Sequence, residues 1–384
     1  MQPSTVVSGQ AWRRWVGVIV VVGVLCSVPI VLGLRPAPAA TTTDPATLRD
    51  RMAASAGLAF QGYAQSSGLL PLPSLPNLTE ITRPLSSRTE MRVWYADPDS
   101  WRVDVIDGAT ERDTYQYLGS QFIWDFGDSR LTQVVGEQPV RLPRPADLVP
   151  PDLVRRLLKL AAGDRVIPIG GNRVAGRDAA GLRVLPTSPD TTIDHVDVWA
   201  DPATGLPLQA EVTAKGGERP VFTTRFLSVE MTRPDASTIT PPALDDVQVT
   251  NAPDLLSQIA QRRRGGDLPA TLGGEQRNTA VGGLTSAATY GDGLAQFVVI
   301  RLPGRFGNEA YDRIATYGAD VPLDGEEVRI DGTTVHLEGG HGAILATGLL
   351  TILAVRAERI YLVAGFVQPA VLRRVAADLA RSER

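Results

Sequence analysis

The sequence predicts an α+β fold with an N-terminal transmembrane helix, an antiparallel sheet wrapped around helices, and a smaller C-terminal α+β domain. Three observations support this prediction. Residues 15–34 form one uncharged apolar run. Residues 88–135 and 181–213 alternate between apolar and polar side chains, with turn signals every 8–12 residues. Beyond residue 273, buried-type strand patterns alternate with amphipathic helix patterns.

The apolar run at residues 15–34 is predicted to anchor the chain in the cell membrane. Its length in a helix is ~30 Å, which matches the hydrocarbon core of a bilayer. Arg13 and Arg14 precede it, so residues 1–14 are expected in the cytoplasm and the bulk of the chain outside. A cleaved signal peptide is the alternative, because Ala37, Pro38 and Ala39 resemble a cleavage site. The length of the run favours the retained single-pass anchor.

Composition excludes several classes of protein. The chain has 384 residues, of which 43% are hydrophobic and 21% charged, so it is long enough for two or three globular domains. A formal net charge of −4 gives no basic field for nucleic acid. The single cysteine, Cys26, lies in the apolar run, and the large Leu25 before it argues against a lipoprotein signal. No disulfide can form within the chain, so stability must come from burial of the core.

The clearest strand pattern covers residues 181–185, 193–199 and 206–213. Within it Val196, Val198 and Leu208 share an apolar face, while mostly polar side chains occupy the other face. Residues 201–205, Asp-Pro-Ala-Thr-Gly, form the tight turn between the last two strands. An antiparallel sheet with one apolar face must cover that face with another layer.

A five-strand meander is predicted for residues 88–135, and its apolar side is rich in aromatic residues. Helices at residues 47–56 and 151–163 and a strand at 58–70 accompany it. The aromatic side has two interpretations. It packs as core against a helix, or part of it stays open as a cavity for an apolar ligand.

The C-terminal part is predicted as a separate α+β domain at residues 273–384, after a linker with a short helix at 242–272. Its expected strands are residues 296–302, 349–355 and 360–366. One helix is expected from Asn308 to Tyr317, and the last helix begins at Pro369. Asp331 and Gly332 are expected to turn a hairpin within residues 328–337.

The sequence lacks the usual signatures of an enzyme. It contains no G-x-S-x-G elbow, phosphate-binding loop or dinucleotide fingerprint, and no cofactor is expected. His336 and His341 are five residues apart across two glycines, with no cysteine to join them. We therefore expect no metal site there, since a structural zinc site takes three or four protein ligands.

Several motifs carry a family resemblance: WYADPDSWRVDV, IWDF, PPDLVRRLLKL and, most specifically, VAGR followed by VDVWADPATGLPL. With these motifs, residues 45–241 resemble the LolA/RseB superfamily, in its actinobacterial membrane-anchored branch. The resemblance implies a curved antiparallel half-barrel whose concave face receives lipid or acyl chains. Relatives are periplasmic lipoprotein carriers, or sensors that bind the external domain of an anti-sigma factor.

The sequence therefore predicts a membrane-anchored extracytoplasmic binding protein, and not an enzyme. The leading hypothesis places a lipid or lipid-modified partner on the concave face. The alternative is an RseB-like regulator that binds an anti-sigma factor or another membrane protein. The residues expected to line the face are Tyr95, Trp101, Val103, Tyr117, Phe122, Trp124, Phe126, Val198, Leu208 and Phe226.

Overall fold

The computed structural model describes residues 44–73, 85–107, 110–135, 145–242, 248–253, 268–278, 287–323 and 326–382. The predicted cytoplasmic tail, the predicted anchor at 15–34 and the predicted short helix in the linker lie outside these ranges. Within them, no helix has the length and apolar character needed to cross a bilayer.

The larger of two main sheets has twelve strands in the order β12-β6-β5-β4-β3-β2-β1-β11-β10-β9-β8-β7. All neighbours are antiparallel except β12 and β6, which run parallel. The strands are β1 (Phe60–Gly68), β2 (Arg88–Asp97), β3 (Ser100–Asp107), β4 (Thr110–Tyr117), β5 (Ser120–Asp125), β6 (Arg130–Val135), β7 (Arg165–Val174), β8 (Arg177–Leu185), β9 (Ile193–Ala200), β10 (Pro207–Ala214), β11 (Pro220–Glu230) and β12 (Gln248–Pro253).

Two helices cover one face of this sheet, which we call the inner face. They are α1 (Pro45–Ala54) and α2 (Pro150–Leu160). Asp44 caps α1 by accepting a hydrogen bond from the backbone N–H of Thr47 at 2.9 Å, and a proline opens each helix. The buried residues of both helices join one core with alternate residues of β1–β3 and β8–β11. The predicted alternation of the strands at 181–213 is confirmed.

The opposite, outer face carries only a short helical turn, α3 (Ala236–Ile239), among the described residues. It follows β11 and contacts β2 and β3. Ile239 is buried there. The chain then reaches the far edge of the sheet, where β12 pairs with β6. Residues 248–253, which the sequence analysis assigned to a linker, are therefore a strand of the larger sheet.

The second main sheet has six antiparallel strands in the order β15-β16-β22-β21-β20-β19. Helix α4 (Gly304–Ala315) covers one face and α5 (Pro369–Ser382) the other. Because both faces are covered, the central strands β21 (Thr351–Arg356) and β22 (Ile360–Gly365) are buried along almost their whole length. The other strands are β15 (Ala287–Tyr290), β16 (Phe297–Leu302), β19 (Thr333–Leu337) and β20 (Gly340–Ala346). Two short hairpins pair β13 (Thr271–Leu272) with β14 (Glu275–Gln276) and β17 (Gly318–Leu323) with β18 (Glu326–Asp331).

Two predictions for this region were wrong. Asp331 and Gly332 do not turn a hairpin, because β18 pairs with β17 and β19 pairs with β20. Gly332 instead allows a close approach to α4: a Cβ there would lie 1.8 Å from the carbonyl oxygen of Ile314. The predicted helix start at Asn308 is also too late, since α4 begins at Gly304. Glycine lowers helix propensity, which hides the first turn from sequence analysis.

The loop between β8 and β9 joins the two sheets. The Thr191 hydroxyl lies 3.0 Å from the carbonyl oxygens of Leu294 and Phe366. Thr192 donates its backbone N–H to Phe366, also at 3.0 Å, and its hydroxyl to the carbonyl of Leu349. Both threonines are buried. The two sheets are therefore joined through specific backbone hydrogen bonds. The predicted domain boundaries at 45–241 and 273–384 stay a prediction.

Candidate functional site

The ten residues predicted to line the concave face do not form one surface. In β3–β5, Arg102 is opposite Tyr115 and Tyr115 is opposite Phe122, so these three share the outer face. Trp101 and Val103 alternate with Arg102 and therefore point to the inner face. The inner face receives Tyr95, Trp101, Val103, Val198, Leu208 and Phe226, whereas the outer face receives Tyr117, Phe122 and Trp124. Phe126 follows β5 and is 66% exposed.

The inner-face residues belong to a closed core. The five most buried of them are between 0 and 4% exposed: Tyr95, Val103, Val198, Leu208 and Phe226. Leu48 and Met52 of α1 and Val154 and Leu158 of α2 are buried in the same cluster. A lipid chain could reach these side chains only if the helices moved away. The ligand-binding role of this face stays a prediction.

Three aromatic rings organise the centre of the inner face. Phe60 stacks on Tyr95 with ring centroids 5.0 Å apart, and it meets Phe226 edge-on at 5.7 Å. The Tyr95 hydroxyl donates to the carbonyl of Ala56 at 2.7 Å, just beyond α1. Burial raises the pKa of Tyr95 to about 12. This phenol therefore serves as a neutral donor that ties the end of α1 to the sheet.

The outer-face aromatic residues form a separate, smaller cluster. Tyr115, Phe122 and Leu131 are buried in it, and Tyr117 and Trp124 pack against them while staying half-buried. The apolar residues of these strands are thus divided between two faces: one is closed by helices, and the other is open along part of its length. We call this second group the outer aromatic cluster.

A buried charge network adjoins the outer aromatic cluster. Arg102 pairs with Asp104, which is 0% exposed, at 2.8 Å, and with Asp113 at 2.9 Å. Its guanidinium lies 5.1 Å from the ring centroids of Trp94 and Tyr115. It also reaches the backbone carbonyl of α3 residue Thr238 at 3.4 Å. Arg102 therefore links the sheet, the aromatic rings and α3.

The three carboxylates of this region could in principle bind a metal ion, but an arginine already occupies the space between them. The carboxylates of Asp104, Glu111 and Asp113 offer oxygens within 4.8 Å of one another. However, the Arg102 guanidinium pairs with all three of them. A cation there would oppose that positive charge at close range. We interpret the group as an ion-pair network and not as a metal centre.

The network holds more carboxyl groups than one guanidinium can neutralise. Burial raises the pKa of Asp104 to about 7, and burial likewise raises the pKa of Asp113. One oxygen of Asp113, Oδ1, is buried without a hydrogen-bond partner. Both carboxyl groups therefore keep a proton to higher pH than a solvated aspartate does. Sequence analysis missed this network, because nothing in the strand alternation separates a buried aspartate from a solvated one.

A cleft of about 760 Å³ lies between α2 and the β15–β16 turn. Lys159 at the end of α2 contributes a positive charge, and Glu275 of β14 a negative one. Neither makes an ion pair with a described residue. Asp164 accepts from the Thr187 N–H and hydroxyl, both at 2.9 Å, while its second oxygen is buried and has no hydrogen-bond partner. The remaining lining residues are Arg156, Leu160, Ala162, Gly163, Pro186, Ser188, Asp292, Gly293, Leu294, Ala295 and Gln296.

The strands from β6 to β12 carry a family signature. Residues 130–251 match the family model of the MucB/RseB N-terminal domain. The chain carries a LolA/RseB-like domain. The superfamily predicted from the sequence is thus confirmed, and the mostly antiparallel sheet with a few helices agrees with it. No curated protein sequence matches this LolA/RseB-like chain.

Solved structures resemble the LolA/RseB-like chain more distantly. A chain of the Pseudomonas aeruginosa MucA/MucB complex is 21% identical, covers 87% of this chain and 97% of its own length, and has a TM-score of 0.46. MucB in complex with MucA(peri) is 19% identical, covers 87% of this chain and 97% of its own length, and has a TM-score of 0.44. A LolA superfamily protein from Nitrosomonas europaea is 9% identical, covers 52% of this chain and 99% of its own length, and has a TM-score of 0.23. With these scores below 0.5, the assignment rests on the family model.

Proposed function

We propose that this protein is an extracytoplasmic regulator that binds a segment of another membrane protein, of the anti-sigma-factor class. The observation that carries the proposal is the contrast between two candidate surfaces. The apolar inner face is closed by α1 and α2, whereas the cleft between α2 and the β15–β16 turn is open to a partner. A concave site with a few well-placed polar groups is the usual form of a binding site.

The charges of the cleft favour a polypeptide partner over an acyl chain. Lys159 and Glu275 both line the cleft and have no ion partners of their own among the described residues. A peptide segment can offer a carboxylate to Lys159 and a cation to Glu275. A hydrocarbon chain would leave both charges unpaired.

The family resemblance supports the same proposal. The matched family model is named for MucB and RseB, and one MucB structure is a complex with MucA(peri). We transfer from these relatives only the class of partner, another protein at the membrane. The sequence of the partner segment is not implied.

Recovery of a partner from membranes tests the proposal. Tagged full-length chain, cross-linked in cells and purified from membranes, is expected to return one stoichiometric protein partner. Glu275→Lys should lower that recovery about fivefold or more, because the cleft then carries a second cation where it had a carboxylate. Glu358→Lys, an equal charge reversal at an exposed turn, is the matched control. Equal recovery with both variants, or no partner at all, would contradict the proposal.

The location of the chain is part of the proposal. We propose that residues 15–34 stay in the cell membrane as a single-pass anchor, with residues 1–14 in the cytoplasm. Protease added to spheroplasts should then digest the C-terminal part and leave the N-terminus protected. A full-length protein that leaves the membrane in carbonate, or one that begins near residue 40, would contradict the anchor.

Lipid binding is the second candidate, and the outer aromatic cluster favours it. Tyr117 and Trp124 are only half-buried, so an acyl chain could lie along them without moving α1 or α2. If lipid binds there, Trp124→Ala should lower the uptake of a fluorescent fatty acid. Unchanged uptake in a folded variant would exclude this face as the lipid site.

A further inference from the structure

Two of the three histidines of the chain face each other on one hairpin. His336 of β19 lies directly opposite His341 of β20, and their ring centroids are 4.7 Å apart with the planes tilted by 56°. Both side chains are exposed. The turn between the strands is Glu338–Gly339, and Gly339 has a φ of 100°, which favours glycine. The five-residue separation that spoke against a shared site in the sequence therefore becomes a cross-strand pair.

The distance between the rings fits one shared ion. An imidazole nitrogen lies about 2.0–2.1 Å from a zinc ion that it binds, so one ion spans two rings at this separation with small side-chain rotations. Imidazole is a favoured ligand for zinc, nickel and copper ions, and a poor ligand for magnesium or calcium. Because both rings are at the surface, water can fill the remaining coordination positions.

The nearest cation of the sheet is engaged elsewhere. Arg356 of β21 lies opposite His341 in the ladder, on the same face of the sheet. Its guanidinium lies 4.1 Å from the Tyr311 ring centroid and pairs with Asp312 of α4 at 2.8 Å. It also donates to the carbonyl of Asn308 at 3.2 Å. The carboxylate neutralises this charge, so Arg356 does not prevent a metal ion from binding at the histidines. The Asp104 network differs in this respect, since its arginine occupies the centre of the carboxylates.

We propose that His336 and His341 together bind one divalent transition-metal ion of the zinc, nickel and copper class. The ion would cross-link β19, an edge strand of the six-stranded sheet, to β20. This inference is independent of the proposed function, because the hairpin does not line the cleft between α2 and the β15–β16 turn.

Native mass spectrometry and calorimetry with zinc chloride test the site. Full-length protein, freed of metal with a chelator, is expected to bind one zinc ion per chain and none of an equal concentration of magnesium. His336→Ala and His341→Ala should each abolish the one-to-one complex. Zinc should also raise the melting temperature of the unmodified protein and leave that of either variant unchanged, since only the folded hairpin presents both ligands.

His195 supplies the matched control. It is the third histidine, and it contacts the carboxylates of Asp194 at 2.7 Å and Asp197 at 3.7 Å on the outer face of the larger sheet. His195→Ala should bind zinc as the unmodified protein does. Loss of zinc with His195→Ala, retention of full binding in either hairpin variant, or no zinc binding at all would overturn the proposal. Unchanged melting temperatures without metal would verify that the exposed substitutions leave the fold intact.

Discussion

The inner and outer faces of β2–β5 are made by alternate residues of the same strands, yet they are stabilised differently. On the inner face, aliphatic side chains and the Phe60, Tyr95 and Phe226 rings are covered by α1 and α2. On the outer face, a few aromatic rings surround the ion pairs of Arg102, under the short α3. A sheet face covered by only a short helical turn can thus bury aspartates, provided that an arginine lies among them.

Phe226→Ala is expected to cause the largest loss of stability. Phe226 is 1% exposed and lies in the centre of the inner core. Removal of the ring leaves a cavity and should lower the free energy of unfolding by about 3–5 kcal/mol. Urea denaturation followed by circular dichroism measures the change.

Trp124→Ala provides the comparison on the outer face. Because Trp124 is half-buried, its removal should lower the free energy of unfolding by only about 1–2 kcal/mol, although its ring is larger than that of Phe226. Equal losses for the two substitutions would mean that both faces are closed cores, and the contrast between them would fail.

Arg102→Ala should have the next largest effect, and it acts through charge. The substitution leaves Asp104 and Asp113 buried without their cation. Breaking a buried pair in this way costs about 3–5 kcal/mol, and we expect about 2–3 kcal/mol because one fifth of the Arg102 side chain is exposed. Urea denaturation at pH 7 measures it.

Two further variants separate this charge effect from lost packing. Asp104→Asn in the Arg102→Ala background should recover part of the loss, since one buried charge is then removed. Arg130→Ala removes an arginine that is 48% exposed and should change stability by about 0.5 kcal/mol or less. No recovery in the double variant would show that Arg102 acts by packing alone.

The same network predicts a pH dependence of stability. Burial raises the pKa of Asp104 from 3.8 to about 7, so the folded chain keeps a proton that the unfolded chain loses above pH 4. The stabilising contribution of this group is therefore full below about pH 4 and is lost as the pH rises to about 7. Over this range the free energy of unfolding falls by at most about 1.4 kcal/mol per pH unit for this group.

Asp104→Asn should flatten the stability curve between pH 4 and 7. The charged and titratable groups around Asp104 are Arg92, Arg102, Glu111, Asp113 and Tyr115. Because burial also raises the pKa of Asp113, Asp113→Asn should flatten the curve in the same direction. Unfolding curves at several pH values for the three proteins give the comparison. Identical slopes for all three would contradict a raised pKa of these two carboxyl groups.

Strand alternation predicted much of the fold, because the period of two is a property of the backbone. It located β8, β9 and β10 and grouped Phe122 with Trp124 correctly. It could not assign that group to a face, since the side on which α1 and α2 pack depends on contacts between residues distant in the chain. For the same reason, the cleft was not predicted. Lys159 and Glu275 are more than a hundred residues apart and come together only when the loop at Thr191 joins the sheets.

The hairpin turns lie on neither face of the sheet. A substitution in one of them is expected to give the smallest change in stability. Leu118 and Gly119 form the two-residue turn between β4 and β5, with φ values of 49° and 75°. Leu118 is 82% exposed, so its side chain gains little from the fold. A left-handed backbone costs leucine about 1–2 kcal/mol, and asparagine tolerates it better. Leu118→Asn should therefore raise the free energy of unfolding by about 0.5 kcal/mol.

A second turn of the same shape makes this prediction testable within the chain. Ala175 and Gly176, between β7 and β8, have φ values of 50° and 75°. If backbone strain alone determines the effect, Ala175→Asn and Leu118→Asn should stabilise the protein by similar amounts in urea denaturation. A gain at Ala175 together with a loss at Leu118 would instead mean that the exposed leucine contacts another part of the folded protein. That result would extend the outer aromatic cluster to the hairpin tip and weaken the contrast between a closed inner face and an open outer one.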